Sequence, residues 1–250
     1  MKFGPLNTQW VLKIQRALFD LIFPSQCKIC GGVLGAAKWV CKGCLGNTRF
    51  ISPPYCDCCG IPLSPLFLEV ERPLCKECQS RPMYFREARA VALYKGVMRE
   101  CIHLFKYEKK EALSKPLGEL MIESMNDYWG GKSFDLIISV PLHPARKRER
   151  GFNQAELLAR AIKEHLALPL DIHSLRRIKP TTSQTTLNRR ERLQNVKGAF
   201  QAKDKSAFFK KKILLIDDLF TTGATIDECS RIMIEAGAQE VYALTLARTV

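Results

Sequence analysis

The chain has 250 residues, 46% of them hydrophobic, and no apolar run approaches the length needed to cross a bilayer. A formal net charge of +14 points to a polyanionic partner or a phosphate-rich site. Eleven cysteines occur without the basic start, apolar core and small-residue cleavage site of a signal peptide, which argues for a cytoplasmic protein whose thiols bind metal rather than an exported disulfide scaffold.

Residues 8–23 put Val11, Ile14, Leu18, Leu21 and Ile22 on one stripe. That predicts an amphipathic helix, ended by Pro24 and Ser25. Its few basic residues favour packing on its own protein over lying on a membrane.

An internal repeat follows. Cys27-x-x-Cys30-Gly31 and Cys41-x-x-Cys44 form the first copy, and Cys56-x-x-Cys59-Gly60 and Cys75-x-x-Cys78 the second. In such a knuckle two thiolates reach one metal from a tight turn, and the glycine permits a left-handed backbone. Two knuckles make a closed four-cysteine zinc site. The expectation is two structural zincs: Cys27, Cys30, Cys41 and Cys44 on one, Cys56, Cys59, Cys75 and Cys78 on the other. Interleaved pairing stays open. Four thiolates leave no position for water, so the metal is structural, and it supplies the folding free energy a segment with little core lacks. Cys58, Cys101 and Cys229 are left over, the last two in helical patterns that suit small core residues.

Residues 87–95 read as a strand, followed by helices over 97–107 and 111–128. His103, alone on the first helix, reads as a core or surface residue, while Lys106 and Tyr107 at its end are candidates to face a site. Phe134-Asp-Leu-Ile-Ile-Ser-Val140 is a second, mostly apolar run, expected to be a buried strand. Pro141-Leu142-His143-Pro144 and a basic run through Arg148 and Arg150 come next. Then a helix over 153–165 and a strand over 170–175 complete a βαβ unit, so the sheet is parallel. Residues 176–212 read as one long irregular stretch, with twelve Lys or Arg against Glu191 and Asp204.

The most informative stretch is Ile213-Leu214-Leu215-Ile216-Asp217-Asp218-Leu219-Phe220-Thr221-Thr222-Gly223-Ala224-Thr225. A buried strand is expected to emerge at the two acids. The small loop after them opens a helix, whose free N–H groups and dipole make a phosphate seat. Gly223 lets the backbone come close, and the threonine hydroxyls add donors. The carboxylates suit a sugar diol or a hydrated Mg²⁺. The lysine of a nucleotide P-loop is missing. Residues 240–247 are the last expected strand.

The run of two acids, two residues and Thr-Thr-Gly-x-Thr resembles the type I phosphoribosyltransferase signature. The resemblance implies that Asp217 and Asp218 contact the ribose hydroxyls of phosphoribosyl pyrophosphate (PRPP). It implies that Thr221, Thr222, Gly223, Ala224 and Thr225 hold its 5′-phosphate. By position, Pro141, Leu142 and His143 bind pyrophosphate, with Arg148 and Arg150 behind them. The basic stretch corresponds to a mobile lid whose Arg189, Arg190 and Arg192 close on pyrophosphate.

The cysteine-rich head, Arg148-x-Arg150-Gly-Phe-Asn-Gln-Ala-Glu156, Thr181-x-x-Gln184-x-x-Leu187 and Arg192-x-x-Asn195-Val-x-Gly198-Ala-Phe200 together resemble the ComF (ComFC/GntX) family. That implies an α/β protein: an N-terminal helix over 1–24, a double zinc ribbon over 25–82, and a phosphoribosyltransferase-like domain of mostly parallel sheet over 83–250. It implies zinc, Mg²⁺ with PRPP, single-stranded DNA and a ComFA-type helicase as cofactors and partners, in DNA uptake and natural transformation. Two other functions stay open: a metabolic phosphoribosyltransferase of unidentified acceptor, and a non-enzymatic zinc-ribbon adaptor.

Overall fold

The computed structural model describes residues 25–34, 40–108, 110–180 and 189–250. The helix expected over 8–23 and the hydroxyl cluster Thr181–Thr186 lie outside the described residues. The chain divides into two compact units, Met1–Thr48 and Arg49–Val250. No helix among the described residues is long and apolar enough to cross a membrane.

In the first unit the knuckle at Cys27 closes with Cys27 N–H donating to Gly32 O and Gly31 N–H to Cys27 O. Helix α1 (Lys42–Gly46) carries the second pair, capped by Cys41, whose Sγ accepts from Cys44 N–H. The second unit opens with the same pattern. Cys56 N–H donates to Ile61 O and Gly60 N–H to Cys56 O, and α2 (Lys76–Ser80) follows Cys75.

The rest is a parallel sheet with helices. In chain order come β1 (Glu87–Leu93), α3 (Gly96–Tyr107), α4 (Ser114–Trp129), β2 (Leu136–Ser139), α5 (Pro144–Arg150), α6 (Gln154–Leu166) and β3 (Leu170–Asp171). β4 (Leu175–Arg177), α7 (Arg189–Val196), β5 (Phe200–Ala202), β6 (Lys212–Phe220), α8 (Ala224–Glu235) and β7 (Glu240–Arg248) complete it. The five-stranded sheet runs β1-β7-β6-β2-β3 with every pair parallel, as the βαβ reading expects. Ile213, Leu214, Leu215 and Ile216 are fully buried, which is why this run carries no polar break. Each such side chain contributes about 1.5–3 kcal/mol relative to exposure.

The chain leaves β2 towards β3 on one side and leaves β6 towards β7 on the other. The order therefore reverses between β2 and β6, which are hydrogen-bonded neighbours (Ser139 opposite Ile216). Parallel sheets bind ligands beyond the carboxyl ends of the strands at such a reversal.

Three expectations are corrected. β6 does not emerge at the acids but runs on to Phe220, because the long partner β7 continues the ladder, with Asp217 opposite Thr245 and Phe220 opposite Arg248. The single strand expected over 170–175 is broken: Asp171 Oδ1 accepts from His173 N–H (2.7 Å) and Ser174 N–H (3.0 Å), the side chain turning its own backbone. And 176–212 is not irregular throughout. β4 and β5 pair antiparallel there, and Leu175, Val196, Ala199, Phe200 and Phe208 are buried apolar points in the basic stretch.

Candidate functional site

β2 ends at Ser139, opposite Ile216, so the acids stand one step beyond it on a strand still held by β7. This places both acids just past the carboxyl end of β2, where the strand order reverses. Successive strand residues point to opposite faces. Asp218, 7% exposed, meets Lys106 of α3, with Nζ 2.7 Å from Oδ1. Asp217 is half-buried, and its Oδ1 accepts from Asp218 N–H at 2.9 Å. Burial, with the charge of Asp218 beside it, pushes Asp217 up to about 7; Lys106 and Arg177 pull the other way. A carboxyl held near neutrality is short of positive charge. That donor chemistry fits a site receiving a sugar hydroxyl or a hydrated Mg²⁺.

After Phe220 the chain turns at Gly223, with φ 78°. A Cβ there would lie 2.6 Å from Phe220 Cζ, so only glycine fits. Gly223, which has no side chain to cap with, is the N-cap of α8. Ala224 N–H donates to Thr222 Oγ1 at 3.4 Å, a weak bond, and Thr221, Thr222 and Thr225 are half-buried. The loop thus has the form of an anion seat at the start of a 12-residue helix.

Across the crevice, Pro141, Leu142 and His143 link β2 to α5, and His143 Nδ1 accepts from Ala145 N–H at 3.3 Å. Asn153 fixes this loop: its Nδ2 donates to Val140 O (3.0 Å) while its Oδ1 caps α6 through Ala155 N–H (3.2 Å). Arg148 is exposed. Arg150 is half-buried, donating to Gln154 Oε1 at 3.1 Å with its guanidinium carbon 5.7 Å from the Tyr107 ring centre. Arg189, Arg190 and Arg192 lie on α7, but the side chains of all three lie outside the described set. The end of the basic stretch is anchored to α8, Gly198 N–H donating to Glu228 Oε1 at 2.7 Å.

Lys106, a candidate to face a site from its place at a helix end, is the counter-ion of Asp218. Two further residues are harder to find in the sequence. Arg177 was one basic residue among twelve; burial lowers its pKa and Asp217 raises it. Asn153 could have been found as the polar residue opening an apolar helical pattern.

The eight cysteines form two sets, Cys27, Cys30, Cys41 and Cys44, and Cys56, Cys59, Cys75 and Cys78, with each set's sulfurs all within 4.8 Å of one another. Pairing is therefore sequential. Sulfur–sulfur distances of 3.7 Å (Cys27–Cys44 and Cys30–Cys41) and 3.8 Å (Cys59–Cys75) match the edge of a zinc–thiolate tetrahedron, about 3.8 Å for bonds of about 2.3 Å. Both sets are zinc-binding sites. Cys101 and Cys229 are buried away from them.

The second set is built into the sheet unit. Ala88 N–H donates to Cys58 O at 2.7 Å, buried Arg89 donates to Asp57 O at 2.8 Å, and Arg248 Nη1 donates to Cys59 O. The segment after Cys78 reaches α8: Asp227 accepts from Tyr84 N–H (2.7 Å) and pairs with Arg81 (3.3 Å).

Residues 18–79 match the family model described as a double zinc ribbon domain. The chain is 30% identical over 231 residues to competence protein F of Haemophilus influenzae, covering 90% of this chain and 98% of the relative. It is 31% identical over 217 residues to competence protein ComFC of Bacillus subtilis, covering 84% of each. It is 28% identical to the DNA utilization protein YhgH of Escherichia coli, over 92% of this chain and 99% of the relative. Solved structures with some likeness include the glutamine PRPP amidotransferase from B. subtilis (TM-score 0.36, 18% identity, 53% of this chain and 25% of that chain). Another is a purine phosphoribosyltransferase from Pyrococcus horikoshii (TM-score 0.33, 15% identity, 53% of this chain and 70% of that chain).

Proposed function

The chain belongs to the family of competence protein F and ComFC, and from that premise we propose that it binds PRPP at the β2/β6 crevice and handles incoming single-stranded DNA. The observation that carries the reading is the acid pair just past the end of β2, followed at once by a helix start whose N-cap, Gly223, is in the left-handed conformation (φ 78°). The backbone amides of the Thr221–Thr225 loop would hold the 5′-phosphate. Asp217 and Asp218 would accept from the ribose hydroxyls, with Lys106 holding the Asp218 carboxylate in place. Pro141, Leu142 and His143 would lie along the pyrophosphate. Mg²⁺ would enter with PRPP and offset the charge of the pyrophosphate.

The relatives' names speak of competence and DNA utilization, and the +14 charge suits a polyanion. A helicase of the ComFA type is the proposed partner, and the cytoplasm the proposed location. A second reading, turnover of PRPP with an acceptor, is favoured by the same acid pair, since a scaffold without ligand would gain nothing from crowding two carboxylates.

The test is thermal stabilisation of the full chain by PRPP with Mg²⁺, set against ribose 5-phosphate and pyrophosphate alone. PRPP should raise the midpoint most, since it fills both ends of the crevice. No shift with PRPP contradicts the reading. Single-stranded DNA affinity measured against salt should show a slope of about −0.7 per phosphate contacted. Pyrophosphate release over a panel of bases and amines decides turnover.

A further inference from the structure

We propose that the end of α3 carries a nucleobase-stacking platform, formed by His103, Tyr107 and Arg150, alongside the acid pair. The platform rests on the PRPP-site reading for its neighbour but on separate residues for its own chemistry.

His103 and Tyr107 are one helical turn apart and share a face. Their ring centres are 5.0 Å apart, and both rings are exposed, Tyr107 at 55%. The Arg150 guanidinium lies 5.7 Å from the Tyr107 ring centre, within the range of a cation–π contact. A single exposed aromatic is ordinary. Two exposed rings in contact, tilted at 44° to each other, with a guanidinium beside one of them, are elements that can hold a flat, electron-rich heterocycle.

The helix end is fixed in place rather than loose. Phe105 is fully buried, with its ring centre 5.7 Å from that of Phe152, two residues past the end of α5. Lys106, between the buried and the exposed rings, turns to Asp218 at 2.7 Å. One turn of helix therefore ties the carboxylate expected to meet the ribose to the rings beside it. A base joined to, or arriving at, a sugar held by Asp217 and Asp218 would meet these rings on the helix whose Lys106 pairs with Asp218. Tyr107 offers the π-face, and Arg150 offers N–H donors to a base carbonyl or a neighbouring phosphate. The ligand class is a nucleobase, free or within a single strand.

The test uses the full zinc-loaded chain. Two probes are a 12-mer oligothymidylate and a 12-mer of the same backbone without bases; free purine and pyrimidine bases are titrated separately with PRPP and Mg²⁺ present. Tyr107→Ala should weaken oligothymidylate binding roughly five- to hundred-fold, the range of one lost base–aromatic stack. Tyr107→Phe should restore it, and His103→Ala should show a smaller loss. The base-free strand and PRPP itself should bind Tyr107→Ala as they bind the wild type. If free bases lose affinity in Tyr107→Ala while the oligonucleotide does not, the platform holds a free base. If both stay within twofold of wild type, or the base-free strand weakens equally, the platform does not exist. PRPP binding, measured on the same samples, reports on the crevice alone, so its failure is told apart from failure of the rings.

Discussion

In the first cysteine cluster Gly31 (φ 73°) has nothing within 4 Å of where a Cβ would stand; in the second, Gly60 (φ 69°) has the Ala88 carbonyl oxygen at 2.5 Å. The two knuckles are otherwise near copies. Cys41 N–H donates to Cys27 Sγ at 3.4 Å, and Cys75 N–H to Cys56 Sγ at 3.3 Å. Equal spacing of cysteines makes equal metal cages, because a cage is a local object. What a cage is attached to depends on residues far along the chain, here Arg89, Asp227 and Arg248. The second cage belongs to the same unit as β2 and β6, and the segment just after it, through Arg81 and Tyr84, braces α8 at Asp227.

The largest effect that would sharpen this contrast is loss of one zinc. Cys75→Ser with Cys78→Ser should remove on the order of 10 kcal/mol of metal-linked folding free energy from the sheet unit, enough to unfold it. Cys27→Ser with Cys30→Ser should also lower zinc from two per chain to one, yet leave the main melting transition in place. Metal analysis with thermal circular dichroism measures both. Equal loss of the sheet transition in the two variants would break the contrast.

Next comes Arg89→Met. Arg89 is buried, 3.0 Å from Glu87 and bonded to Asp57 O. The variant strands a largely buried carboxylate and should cost about 3 kcal/mol in urea unfolding. Trp129 and Lys132 still reach Glu87 and keep the loss from being larger.

Third, Gly60→Ala adds a clash with backbone to the left-handed strain, about 2–4 kcal/mol together, while Gly31→Ala carries the strain alone, about 1–2 kcal/mol. Differential zinc retention on dilution into chelator reads the difference.

The smallest effect lies in pH. Asp217 stands at about 7 in the folded chain against an ordinary 3.8. The folded state therefore holds its proton more tightly, and stability falls as pH rises through that interval. Asp217→Asn should flatten the slope and stabilise the unliganded protein above about pH 7 by on the order of 2 kcal/mol, a few degrees of midpoint. The slope should persist in the first-cluster variant, whose compact unit does not contain Asp217.

Much of this was legible because it is local. Eight cysteines at fixed spacing, the apolar runs at 134–140 and 213–216, and a glycine between threonines each declare themselves within a dozen residues. The three-residue strands at 175–177 and 200–202 do not. Too few positions alternate for a period to show, and arginines and lysines surround them. The continuation of β6 past two acids was hidden for another reason: polar side chains read as the end of a buried strand, whereas β7, distant in sequence order, keeps the ladder going. The Lys106–Asp218 pair spans 112 residues, and the attachment of Cys59 O to Arg248 spans 189, so no window of sequence contains either.

PRPP binding between β2 and β6 is tested most directly by calorimetric titration of PRPP with Mg²⁺ into three proteins. Wild type and Cys27→Ser/Cys30→Ser should bind with matching affinity, and Asp217→Asn/Asp218→Asn should give no heat of binding while melting as a folded protein. Unchanged binding by the double asparagine variant would contradict it.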